Sequence, residues 1–350
     1  MTWRRDASPL TMVLPTTYLS TLCLLIFSMI CWGSWANALK LTGARWRFEL
    51  FYFDYSFGVL LASILAAFTF GMVGGDMNFE DRMLVAGHLK QAYAVFGGVI
   101  FNLANMLLVA AIDIAGLAVA FPVGIGLALI IGVVWNYLID PRGNPTLLFL
   151  GLALVIAAIV VDARAHFARD AAKGTSKRNR HAGRGVVISI VSGMLMGTFY
   201  PLVEKGMGGD LGLGPYSAAL LFSFGVFAST FVFNVFFMNV PISGDRVRFR
   251  NYFLGRPRWH FLGIAGGAVW AAGAISNFAA ASAPPEVNVG PAISLAIGQC
   301  ATLVSVLWGL LLWKEFSGTG PGVRVLIVAM LVLFASGLAL LSLAPVIGRR

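Results

Sequence analysis

The chain has 350 residues, 59% of them hydrophobic and only 11% charged, with a net charge of +10 and a mean hydropathy of +0.84. A soluble domain is about 45–50% apolar and about 25% charged. This composition therefore excludes a soluble enzyme, a disordered chain and a secreted disulfide scaffold. Lipid is the expected solvent, and the basic residues are read as topology signals rather than as a nucleic-acid surface.

A helix needs about 20 apolar residues to cross a bilayer core. Ten runs meet that length, at roughly 17–39, 53–74, 93–115, 117–139, 146–163, 186–206, 216–239, 261–282, 289–313 and 322–345. They are called spans 1 to 10. None alternates polar and apolar residues, so a β-barrel is not expected. The first run is long and leads through Trp and Gly rather than to a small-residue cleavage site, so it is read as a span and not as a removable leader. Lys and Arg divide unevenly: 17 fall in connections after the odd-numbered spans and 8 on the other side. The positive-inside rule then puts both termini outside and the basic connection near 164–184 in the cytoplasm, with the chain in the inner (plasma) membrane. The run Lys177-Arg178-Asn179-Arg180 is read as a solvated loop that could touch anionic lipid heads.

The two halves resemble each other. Trp32-Gly33-Ser34-Trp35 in span 1 parallels Met196-Gly197-Thr198-Phe199 in span 6, and Ser56-Phe57-Gly58-Val59 recurs as Ser223-Phe224-Gly225-Val226. Gly97-Gly98 parallels Gly266-Gly267, and Pro122 parallels Pro291. The offsets are 164, 167, 169 and 169. With five spans per copy, the second must enter the membrane from the opposite face. The expectation is an all-α polytopic membrane protein, with ten helices as two inverted five-helix repeats. Residues 1–163 form the first repeat, 164–185 a basic cytoplasmic loop and 186–350 the second. Inverted repeats of this kind are a recurring architecture of secondary transporters.

Trp32-Gly33-Ser34-Trp35, Asp54-Tyr55 at the start of span 2, and Phe121-Pro122-Val123-Gly124-Ile125-Gly126-Leu127 in span 4 carry a further resemblance. The chain resembles the drug/metabolite transporter superfamily and, within it, the ureide permease family, near the glucose/ribose porters and the rhamnose transporters. The resemblance implies proton- or cation-coupled movement of a small polar metabolite. The plant ureide permeases are associated with allantoin and nucleobase-like solutes, and the sister families with sugars.

Spans 1 and 6 to 10 carry no charge near their centres. A carrier of organic cations would offer a deep carboxylate and a carrier of anions a deep Arg or Lys, because an ion in low dielectric needs a partner. Neutral amides and aromatics occupy the midplane instead, which suits a neutral hydrogen-bonding solute. Asn102, Asn105, Asn277 and Gln299 each offer two donors and an acceptor, and each is either interhelical glue or a substrate contact. Trp32, Trp35 and Tyr200 offer ring faces for stacking or belong to an interfacial belt, whereas Trp270 is read as core. Gly33, Pro122, Gly197 and Pro291 are hinge candidates, since a proline inside a helix removes a backbone bond. Gly124 and Gly126 are expected to let another helix approach. Asp54 and Asp113 are the candidates for coupling to a proton or sodium, with helix capping as the plainer account.

No P-loop is present, His88, His166, His181 and His260 lack metal-ligand spacing, and Cys23, Cys31 and Cys300 fall in apolar runs. No cofactor, metal site or catalytic constellation is expected. A sugar porter, an exporter of amphipathic compounds and a non-transporting scaffold are the competing readings, and the chain is taken as a monomer or homodimer.

Overall fold

The structure is a computed structural model that describes residues 14–43, 46–73, 78–172, 182–209, 211–241 and 245–347. Among these residues all regular structure is helical, and ten helices are long and apolar enough to cross a membrane. Span 1 is Tyr18–Ser34 followed by Ala36–Thr42, and Thr17 opens it through a capping box with Ser20. Span 2 is Phe48–Phe68, span 3 Phe79–Ala115, span 4 Leu117–Ile139, span 5 Pro145–Ala172 and span 6 Ala182–Met207. Span 7 is Pro215–Asn239, span 8 Pro257–Ala281, span 9 Pro291–Gln299 with Ala301–Leu311, and span 10 Pro321–Ile347. A short helix, Arg250–Phe253, lies between spans 7 and 8.

Several boundaries differ from the sequence expectation for physical reasons. Span 3 begins fourteen residues earlier than expected, because a polar first segment reaches Gly87 and turns there at φ 73 before the apolar run. That sign of φ is open to glycine at no steric cost. Span 5 continues through Arg164 and Arg169 to Ala172, so part of the expected 164–185 loop is helix. Lys177-Arg178-Asn179-Arg180 lies outside the described residues. Pro291 stands at the first position of its helix, where a missing N–H costs no bond. The break in span 9 falls at Cys300 instead. Pro122 sits inside a continuous helix and Gly197 in another. Gly33 lies two residues before the break at Trp35.

Small residues set which helices touch. A Cβ on Gly58 of span 2 would strike the backbone of Ile264 in span 8, and one on Gly225 of span 7 would strike that of Val95 in span 3. Likewise Gly267 of span 8 abuts the Tyr55 backbone of span 2, and Gly98 of span 3 abuts Phe222 of span 7. Each second contact is the first shifted by the repeat offsets of 167 and 169. Whole helices pair the same way: 3 with 6 and 8 with 1, 4 with 6 and 9 with 1, 8 with 2 and 3 with 7. This reciprocity is consistent with an inverted duplication. Gly193 and Gly197 admit span 4 against span 6 as close-packing residues do. Gly124 meets the Leu108 side chain, but Gly126 has nothing within 4 Å of an added Cβ, so only the first of that pair serves an approach.

At the face carrying the basic connections, Glu315 accepts from Lys40 and from Arg169 Nη1 at 3.1 Å, and His166 Nε2 is 3.9 Å away. These contacts tie the ends of spans 1, 5 and 9. Burial pushes the Glu315 carboxyl up, but the Lys40 bond and charge, with Arg169 and His166, outweigh it and hold the group below its ordinary 4.5. A depressed carboxyl stabilises the fold above its unfolded value and loses that contribution as pH falls through the folded one. Glu315→Gln should therefore melt below the wild-type protein at neutral pH, and the two melting curves in detergent should converge as the pH drops below 4.5.

Candidate substrate-binding site

Spans 1, 2, 3, 4, 6, 8 and 9 enclose a cavity of about 390 Å³ that runs from the midplane toward the basic face. Among the described residues its lining contains no charged side chain. Trp32, Trp35 and Leu39 come from span 1, Asn105, Leu108 and Val109 from span 3, and Phe121 and Ile125 from span 4. Met196 and Phe199 of span 6 and Trp270 of span 8 close its inner end. Gln299, Thr302 and Ser305 line it from both sides of the Cys300 break in span 9. The volume lies at the lower end of the range of small-molecule pockets, and the mix of aromatic walls with a few polar groups is typical of them.

Four residues singled out in the sequence meet here: Trp32, Trp35, Asn105 and Gln299. Asn105 is only 8% exposed, and its Nδ2 donates to the buried Tyr52 hydroxyl at 3.1 Å. Among the described residues its Oδ1 accepts nothing, and neither end of the Gln299 amide is bonded to protein. Those amides can therefore give a solute both a donor and two acceptors. Trp32 stacks on Trp270 with ring centroids 5.9 Å apart and donates Nε1 to the Trp270 carbonyl at 3.2 Å. Trp35 packs on Tyr55 at 4.8 Å. The indole faces are thus held rigidly by packing, as a stacking platform requires.

Three other candidates lie elsewhere. Asn102, three residues from Asn105, is fully buried and donates to Val226 O, Ser229 Oγ and Thr230 Oγ1 at 2.8 to 3.2 Å, so it joins span 3 to span 7. Tyr200 donates to Asn277 Oδ1 at 2.6 Å, and Asn277 Nδ2 reaches Ser294 O at 3.2 Å. Both lie behind the cavity on the side away from its mouth. Sequence reasoning missed Phe101, Thr302 and Ser305, and it assigned Trp270 to core. Trp270 is indeed only 5% exposed, but it forms cavity wall. Phe101 and Trp270 are related by the 169-residue offset, and their rings meet at 4.6 Å.

Asp54 is 3% exposed. Its Oδ1 accepts from the Tyr252 hydroxyl at 2.6 Å, and His260 Nδ1 lies 2.9 Å from Oδ2. Trp46 covers His260 edge-on at 5.1 Å. Burial, then the Asp54 bond, push the Tyr252 phenol up, so it remains a donor. The three polar groups come from span 2, the Arg250–Phe253 helix and span 8, and no sequence spacing links them. The Asp113 side chain lies outside the described residues.

A family model for ureide permeases matches residues 51–186. Ureide permease 1 of Arabidopsis thaliana is 25% identical across 91% of this chain and 95% of its own length. Ureide permease 2 of the same plant is 24% identical over the same shares. The chain is thus similar to the ureide permeases along most of its length. With ten helices long and apolar enough to cross a membrane among the described residues, these similarities support an integral, multi-pass membrane protein. The fold also has a counterpart of known crystal structure, with a TM-score of 0.62 over 96% of this chain and 99% of the other. At 16% identity that likeness concerns the fold alone.

Proposed function

We propose that the chain is a secondary transporter that takes up a small neutral polar solute of the ureide or nucleobase type by alternating access. The observation that carries this reading is the uncharged cavity, whose aromatic walls hold the free amide groups of Asn105 and Gln299. A planar urea-containing ring would stack on Trp32 or Trp270 and exchange hydrogen bonds with both amides. A permanent ion would find no partner there, and its burial would be costly. The relatives named as ureide permeases support the solute class. The cavity opens toward the basic face, which the positive-inside rule assigns to the cytoplasm of the inner or plasma membrane. Inverted halves supply the route to the opposite opening.

Coupling to a proton or sodium rests on Asp54, the carboxylate held between Tyr252 and His260. Asp54→Asn should reduce gradient-driven accumulation at least fivefold while solute exchange across the membrane persists. Equal loss of both would make Asp54 a structural tie rather than a coupling group.

The deciding experiment is uptake by purified protein in proteoliposomes, offering allantoin, uracil, glucose and rhamnose with and without a pH or sodium gradient. Accumulation of allantoin or uracil is expected. Accumulation of a sugar alone would move the protein to the sugar porters, and movement of a cationic dye alone would make it an exporter.

A further inference from the structure

The reciprocal contacts of the two halves let the lining of the open cavity be projected onto the closed side. Ala36, Leu108, Val109, Ile125 and Ser305 line the cavity. Shifted by the repeat offsets of 164 and 169, they become Tyr200, Asn277, Phe278, Ser294 and Asn136. All five of these are buried, at 0 to 1% exposure. Four of the five, Tyr200, Asn277, Ser294 and Asn136, carry polar side-chain groups.

A second, independent observation falls on the same residues. Ser294 Oγ and Asn136 Oδ1 are sealed from solvent with no hydrogen-bond partner among the described residues. An orphaned polar atom in a buried site costs about 1–3 kcal/mol and calls for an explanation. Tyr200 and Asn277 meet across spans 6 and 8 through a 2.6 Å hydrogen bond. Asn277 Nδ2 reaches Ser294 O, and an added Cβ on Gly298 would lie between the Asn277 amide and the Trp32 ring. Tyr200, Asn277 and Ser294 are therefore continuous with the floor of the open cavity.

We propose that Asn277, Ser294 and Asn136 form a second solute subsite, exposed only when the opposite face opens and latched shut here by the Tyr200–Asn277 hydrogen bond. Its ligand is a neutral solute with urea-type N–H groups, which the two orphaned oxygens accept. Opening parts span 6 from span 8 and hydrates those atoms, so their unmet bonding in the closed form lowers the barrier to opening. The proposal rests on the alternating-access reading above and adds the residues of its unseen half.

The test uses full-length protein with Cys23, Cys31 and Cys300 replaced by alanine, reconstituted in proteoliposomes. Ser294→Cys changes a single atom and Asn277→Cys is the second variant. Ala218→Cys, on span 7 and 0% exposed, is the buried control. A membrane-impermeant maleimide is applied from the face opposite the basic connections. Labelling at 294 or 277 at least tenfold faster than at 218 is expected, as is a further rise in the Ser294→Cys protein on adding Tyr200→Phe, which removes the latch that Asn277→Cys already lacks. Labelling no faster than at 218, labelling only from the basic face, or no response of Ser294→Cys to Tyr200→Phe would overturn the proposal. These readouts need no substrate. Failure of every solute to accumulate would therefore sink the ureide reading while the labelling still decides on the cavity.

Discussion

Alanine at Asn105 is expected to raise the apparent KM for a ureide about tenfold, with folded protein recovered in near-normal amount. The amide stands on the cavity wall with its Oδ1 free, and a lost substrate hydrogen bond is worth about 1–1.5 kcal/mol, or roughly tenfold in affinity. Gln299→Ala should act similarly, because its amide has no protein partner to lose. Asn102→Ala is the informative contrast. Its Nδ2 meets three acceptors on span 7, so its removal should lower the melting temperature and leave the KM of the surviving protein unchanged. The measurement is initial uptake rate against solute concentration, normalised to monodisperse protein. An unchanged KM for both Asn105→Ala and Gln299→Ala would remove the cavity from the transport path.

Valine at Gly267 or at Gly98 is expected to destabilise the protein by about 3 kcal/mol, the upper part of the usual range for overpacking. An added Cβ would land on backbone atoms of Tyr55 or Phe222, which cannot rotate aside as a side chain tip can. The helices must separate, and the cross-helix packing that holds a membrane bundle together is lost with them. Because the two sites correspond under the 169-residue offset and meet backbone alike, both substitutions should have similar effects. Gly126→Ala, with nothing within 4 Å of the new atom, should not lower stability. Thermal unfolding in one detergent compares all three. A mild effect at one of the paired sites and a severe one at the other would argue that the halves are packed independently.

The sequence by itself determined the spans, because a bilayer imposes a length and a polarity that composition reports directly. It also determined that spans 1, 6, 8 and 9 bring no charge to the cavity, since an uncharged helix centre is uncharged on every face. Trp32, Trp35, Asn105 and Gln299 were legible for that reason: they are the deep polar and aromatic groups of their helices. Which side each faces was not legible. These helices are apolar all round, so hydrophobic periodicity does not mark an inward face, and Asn102 and Asn105 look equivalent in sequence although one holds span 7 and the other lines the cavity. Only the tertiary structure decided that, through glycines whose missing side chains set which helices meet and at what rotation. It alone brought Tyr252 and His260 to Asp54 from about 200 residues away. It also placed Phe101 against Trp270, because contacts between distant helices follow from close packing and leave no spacing in the chain.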